Sequence, residues 1–150
     1  MKHWILAATI LALASVLASA HQGATGIVKQ RMDAMKALGG QMKALSQLDW
    51  SNPAQSRVSA AAIADEITGH ARQMPALFPK GSTQHPSEAI DAIWSNPAEF
   101  AEAVKALEAA ADQLRTAAPA LQGADDVKQH LRQLGATCSA CHADFRKKRQ

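Results

Sequence analysis

The sequence has no tyrosine, three phenylalanines, three tryptophans and only two cysteines. So few aromatics, with none interleaved among basic residues, argue against a nucleic-acid surface, which needs stacking platforms and phosphate contacts together. Two cysteines cannot build the multi-bridge framework that staples small exported domains. No segment alternates apolar and polar residues with a period of two, so β-strands lack their usual pattern. After the first twenty residues no apolar run is long enough to span a bilayer. A strong charge of one sign is missing too. The 16 Lys and Arg face 13 Asp and Glu, and much of the surplus lies in Arg146-Lys147-Lys148-Arg149, where a basic run suits a solvated helix end.

What is present starts with a leader. Met1-Lys2-His3, an apolar stretch from Trp4 to Leu17, and Ala18-Ser19-Ala20 read as an export signal, residues 1–20, with a small-residue cleavage site. Its apolar run is shorter than the ~20 residues of a spanning helix. The expected location is therefore the periplasm. Residues 21–150 then form one domain with a single core. Without Lys2, 15 basic residues face 13 acidic ones, a formal charge of +2.

That domain reads as all-α, built from Ala, Leu, Gln, Lys and Glu on apolar stripes. A first helix is expected from Gly26 to Leu48, with Val28, Met35 and Met42 seven residues apart and Leu38 and Leu45 beside them. Arg31 falls on the same inner face, where a leucine would be expected. Gly39-Gly40 costs about 1 kcal/mol per residue in a helix interior, so the pair implies a bend or a close approach to the backbone. Asn52-Pro53 and Asn96-Pro97 are cap-then-proline starts for a second and a third helix. Ile63, Ile67, His70 and Met74 mark the second, and Phe100, Val104, Leu107, Ala111 and Leu114 the third. Between them a connection from Phe78 to Pro86 precedes a short helix over 87–94. The last helix carries Val127, Leu131, Leu134, Cys138, Cys141 and Phe145 on one stripe. Four such helices with short links pack as an antiparallel four-helix bundle.

Cys138-Ser139-Ala140-Cys141-His142 is a C-x-x-C-H sequence, the attachment signature of c-type haem. Residues three apart share a helix face, so both thiols can add to the vinyl groups on one porphyrin edge. His142 then places its imidazole toward the iron. Other readings fit less well. A redox C-x-x-C belongs beside a βαβ pattern, which is absent, and a zinc site needs a fourth ligand that no second cysteine pair supplies. Buried inert cysteines leave the adjacent histidine unexplained. The expected cofactor is one haem c per chain, held by Cys138 and Cys141, with His142 as proximal iron ligand.

Four segments carry a resemblance: RMDAMKALGGQMKAL at 31–45, LFPKGS at 77–82, AIWSNPAEF at 92–100 and LGATCSACHADFRKK at 134–148. The chain resembles the class II c-type cytochromes, meaning cytochrome c′ and its methionine-ligated low-spin relatives, which place the haem motif near the C-terminus. The resemblance implies a four-helix bundle and His142 as proximal ligand. By the same matching, Arg31 lies near the haem propionates, Met35 over the distal iron face, and Arg146 next to the proximal histidine. Without the resemblance, Arg31 reads equally as an edge residue reaching water, and Met35 as core filling. His70, His85 and His130 read as ordinary surface or core histidines, His21 as a weak copper chelator at a cleaved terminus, and Phe78 and Trp94 as core aromatics.

Two functions follow. One is electron transfer with Met35 and His142 as axial ligands; the other is binding of a diatomic gas, nitric oxide or carbon monoxide, at an open distal face. No acid–base constellation points to an enzyme. Redox partner proteins, a diatomic gas and a second copy of the chain are the partners these readings admit.

Overall fold

The computed structural model describes residues 23–148; the leader and His21 lie outside the described residues. Four long helices, α1 (Gly26–Ser46), α2 (Pro53–Gln73), α4 (Pro97–Ala117) and α5 (Ala124–Phe145), are joined by short links and a one-turn α3 (Ala92–Ser95). Single 3-10 turns extend α2 over Met74–Leu77 and α4 over Ala118–Ala120. No strand forms among the described residues, where the closest approach is an isolated bridge between Ala89 and Arg146. No helix among them is long and apolar enough to cross a membrane.

The helices form a square. Each of α1–α2, α2–α4, α4–α5 and α5–α1 is a neighbouring pair, with α2–α4 the most extensive contact and α1–α5 the slightest. Neighbours run antiparallel. Arg57 near the start of α2 donates to the Leu121 carbonyl beyond the end of α4, at 2.7 Å, and Arg72 near the end of α2 pairs with Glu108 further back along α4, at 2.6 Å. Inside the square, Leu45, Ile67, Leu114 and Leu134 are the largest fully buried side chains. Burial of such a side chain is worth about 1.5–3 kcal/mol, which is what turns four amphipathic stripes into one core.

Local chemistry explains where the elements depart from expectation. Asn52 caps α2 as its sequence suggests, accepting from Gln55 N–H at 3.3 Å. Asn96 does not cap α4 with its side chain. It also ends α3, donating its own N–H to the Ala92 carbonyl at 2.8 Å. The short helix expected over 87–94 is only Ala92–Ser95, because residues 87–90 pair instead with the chain leaving α5. The first helix stops at Ser46 rather than Leu48, and it passes through Gly39-Gly40 unbroken.

Candidate haem site

The chain's chemistry gathers at one end of the square, where α1 starts, α5 ends and the α2–α3 connection crosses between them. Cys138, Cys141 and His142 sit in the last two turns of α5. Both cysteines are free and half-buried. Burial pushes both thiols up from their ordinary pKa, with the Thr137 side chain opposing this at Cys138 and the charges of Cys138 and Asp144 adding to it at Cys141. Cys141 and Leu131 pack against the apolar core without being covered by it.

On α1, the buried stripe is Val28, Arg31, Leu38 and Leu45. Gln41 hydrogen-bonds to Glu66 of α2 and so marks the edge of α1 that faces α2. At about 100° per residue, Met35, Gly39 and Met42 fall on the opposite edge, toward α5. Met35 and Met42 are half-buried, packed against the core from that edge. A Cβ at Gly39 would meet nothing within 4 Å, and the same holds at Gly135 on α5. The α1–α5 seam is thus an apolar border lined by thioethers and thiols, with room beside it. That donor set fits a covalently held haem: two thiols on one helix face, an adjacent imidazole, and an apolar flank with a thioether on the facing helix.

Arg31 is buried, 5% exposed, as its place in the stripe implies. It has no carboxylate partner among the described residues. Its Nε and Nη2 donate to the Leu77 carbonyl at 3.0 and 2.9 Å, and its Nη1 donates to the Ser82 carbonyl and Ser87 Oγ, both at 2.8 Å. Nη2 also donates to Ser82 Oγ. All five guanidinium N–H groups are therefore engaged by the chain's own oxygens. The ring of Phe78 lies under the guanidinium, 4.2 Å from Cζ to the centroid, and desolvation lowers the Arg31 pKa. Phe78 contacts Phe100 edge-on at 5.1 Å, and Phe100 contacts Phe145 at 5.3 Å, so an aromatic row runs from Arg31 to the end of α5. Trp94 Nε1 donates to the Phe78 carbonyl at 2.9 Å.

The structure thus brings Arg31 and Met35 one turn apart on the helix bordering α5, which carries Cys138, Cys141 and His142. Arg146 lies one turn beyond His142 but is drawn toward Glu88, at 3.6 Å. His85 is exposed and His70 half-buried. His130 is half-buried, with its Nδ1 buried and without a hydrogen-bond partner. Ser82 and Ser87, buried beneath Arg31, were not singled out by sequence. Serine beside glycine or proline reads as a turn residue, and only the fold reveals what such a hydroxyl faces.

The fold and the donor set define a class, a helical-bundle haem protein. A family model described as Cytochrome C' matches residues 26–146, from the first residue of α1 to just past α5. The chain belongs to the cytochrome c′ family, and its cofactor is haem c, covalently attached. It is similar to a cytochrome c-554 of Cereibacter sphaeroides, 33% identical over 134 residues, with 85% of this chain and 80% of the relative covered. A cytochrome c′ of Pararhodospirillum photometricum is 39% identical over 121 residues, covering 79% of this chain and 94% of its own. Cytochrome c′ from Rhodopseudomonas palustris shares the fold with a TM-score of 0.69 at 23% identity, over 85% of this chain and 100% of its own. A nitric oxide complex of a cytochrome c prime variant from Alcaligenes xylosoxidans matches with a TM-score of 0.65 at 25% identity, over 81% of this chain and 94% of its own.

Proposed function

We propose that this chain is an exported electron carrier of the periplasm, with Cys138 and Cys141 as the thioether anchors, His142 as proximal ligand and Met35 as distal ligand. The observation that carries the reading is the position of Met35. It is half-buried on the edge of α1 that faces α5, one turn from Gly39, where an added Cβ would meet nothing within 4 Å. When bound, haem supplies an iron that exchanges one electron. The residues do the rest. The apolar border of the core excludes water from one flank, and the two half-buried thiols lie one turn apart on α5, where each would add to a vinyl group on one porphyrin edge. A thioether is a soft ligand on a flexible chain that reaches without moving its backbone. With both His142 and Met35 holding the iron, electron exchange would be favoured over capture of a further ligand. The role proposed is that of a carrier exchanging electrons with redox partner proteins, and not of an enzyme.

A second reading is favoured by the nitric oxide complex of the relative from Alcaligenes xylosoxidans, which has the same fold: a diatomic gas binds at the distal face. One set of spectra separates the two. The wild-type protein is expected to be low-spin in both oxidation states, to keep its haem through acidified organic solvent, and to turn high-spin in Met35→Leu. A protein already high-spin, with a spectrum that Met35→Leu leaves unchanged, hands the case to gas binding. Haem lost to the solvent would end the thioether reading.

A further inference from the structure

Residues 82–90 touch both helices that border the seam, and one residue there, Ser87, is tied to α1 by its side chain and to the chain leaving α5 by its carbonyl. On the α1 side, Ser87 Oγ accepts from Arg31 Nη1 at 2.8 Å, and it also accepts from the Ala89 N–H at 3.1 Å, which fixes the local turn. On the α5 side, the Ser87 carbonyl accepts from Lys147 Nζ at 3.0 Å. The main chain adds two more ties to α5: Lys147 N–H to the Glu88 carbonyl at 2.8 Å, and Ile90 N–H to the Phe145 carbonyl at 3.2 Å. Ser87 is only 4% exposed, so water does not compete easily for these groups. Arg31 is one helical turn before Met35, and Lys147 follows His142 by five residues. Direct packing between α1 and α5 is the slightest in the square, so it constrains their separation least.

We propose that Ser87 is a positioning residue, which fixes the separation of α1 from α5 at the haem end and thereby controls access to the distal face of the iron. This rests on the haem-bearing reading of α5 but not on Met35 as a ligand. In the intact strap, the hydroxyl holds the α1 turn that carries Arg31, and the backbone of the same residue and its neighbours holds the end of α5. Removing the hydroxyl takes away one of the three bonds that tie Arg31 to this strap, leaving the two to Ser82, and so loosens the α1 side while leaving the α5 side in place. α1 then moves away from the seam more often, and an incoming ligand meets less obstruction.

The test is carbon monoxide association with the ferrous holoprotein, followed by stopped flow, together with its spin state. Ser87→Ala is expected to speed association about fivefold, the factor that one hydrogen bond corresponds to, and to raise the high-spin fraction if Met35 binds iron. Lys147→Ala, which loosens the other side of the strap at an exposed position, should shift both readouts in the same direction and carries the test alone if Ser87→Ala fails to fold. Leu114→Ala lowers stability at the far end of α4 and should leave association within about twofold of wild type, since a core cavity there does not touch the strap. Unchanged association in the two strap variants, or equal acceleration in Leu114→Ala, would overturn the proposal. The outcomes are separable from the ligation reading: Met35→Leu without spectral effect removes Met35 as ligand but leaves the carbon monoxide result for Ser87 standing.

Discussion

Arg31 shows how a single residue departs from its simplest reading. A cation inside an apolar core costs several kcal/mol unless its donors are met. Here neutral oxygens and an aromatic face of the chain itself meet them. Replacement by methionine keeps the length of the side chain and removes every donor. It leaves the Leu77 and Ser82 carbonyls and two buried hydroxyls without their partner. We expect Arg31→Met to destabilise the protein by about 3 kcal/mol in urea unfolding, the sum of a charged hydrogen-bond set lost and buried acceptors left unpaired. A loss below about 0.5 kcal/mol would show that the Arg31 hydrogen bonds add little to stability. The inward position was legible because the heptad spacing of Val28, Met35 and Met42 fixes the face on which residue 31 lies. Its partners were not. They come from residues 46 to 56 positions further along the chain, and no local pattern encodes such a pairing.

Helices were more legible than their junctions. The stripe from Val127 to Phe145 repeats every three or four residues, and the structure buries it, with Val127, Leu134 and Phe145 deepest. What spacing does not encode is graded cover. Leu134 is 0% exposed inside the square, whereas Leu131 packs against the core from its edge. Leu134→Ala should therefore cost about 2–5 kcal/mol with or without haem, the usual range for a cavity in a closed core. Leu131→Ala should cost under about 1 kcal/mol in haem-free Cys138→Ser/Cys141→Ser protein and distinctly more in the holoprotein, because the haem flank completes its cover. Denaturant unfolding of both variants and their parents, with and without haem, checks this; equal costs for Leu131→Ala in both forms would place the haem away from the α1–α5 seam. Junctions failed as sequence signals where one residue serves two elements, as Asn96 does, or where a distant tail claims a segment, as the chain after α5 does with residues 87–90.

The whole molecule has a charge asymmetry that its small net charge conceals. α1 exposes Lys29, Lys36 and Lys43 against Asp33, while α4 carries Glu99, Glu102, Glu108 and Asp112 against Lys105 and Arg115. These two helices stand at opposite corners of the square. Lys36 and Lys43 each follow a seam methionine on the side away from α2. Oxidation of the ferrous protein by ferricyanide should therefore slow as salt is added, and Lys36→Glu/Lys43→Glu should slow it about three- to tenfold at low ionic strength. Lys105→Glu on α4 should change it far less. Equal effects at both corners would leave only net charge at work. The same square has a consequence in time. α1 and α5 are the first and last helices of the bundle, so their border joins the most distant parts of the described chain, and closing it costs the most loop entropy. α2 and α4, with the most extensive contact, can pair without it. The border that carries the cysteines is accordingly expected to be the last made as the chain condenses and the first to part on warming, which would keep the thiols reachable until the N-terminal helix comes home.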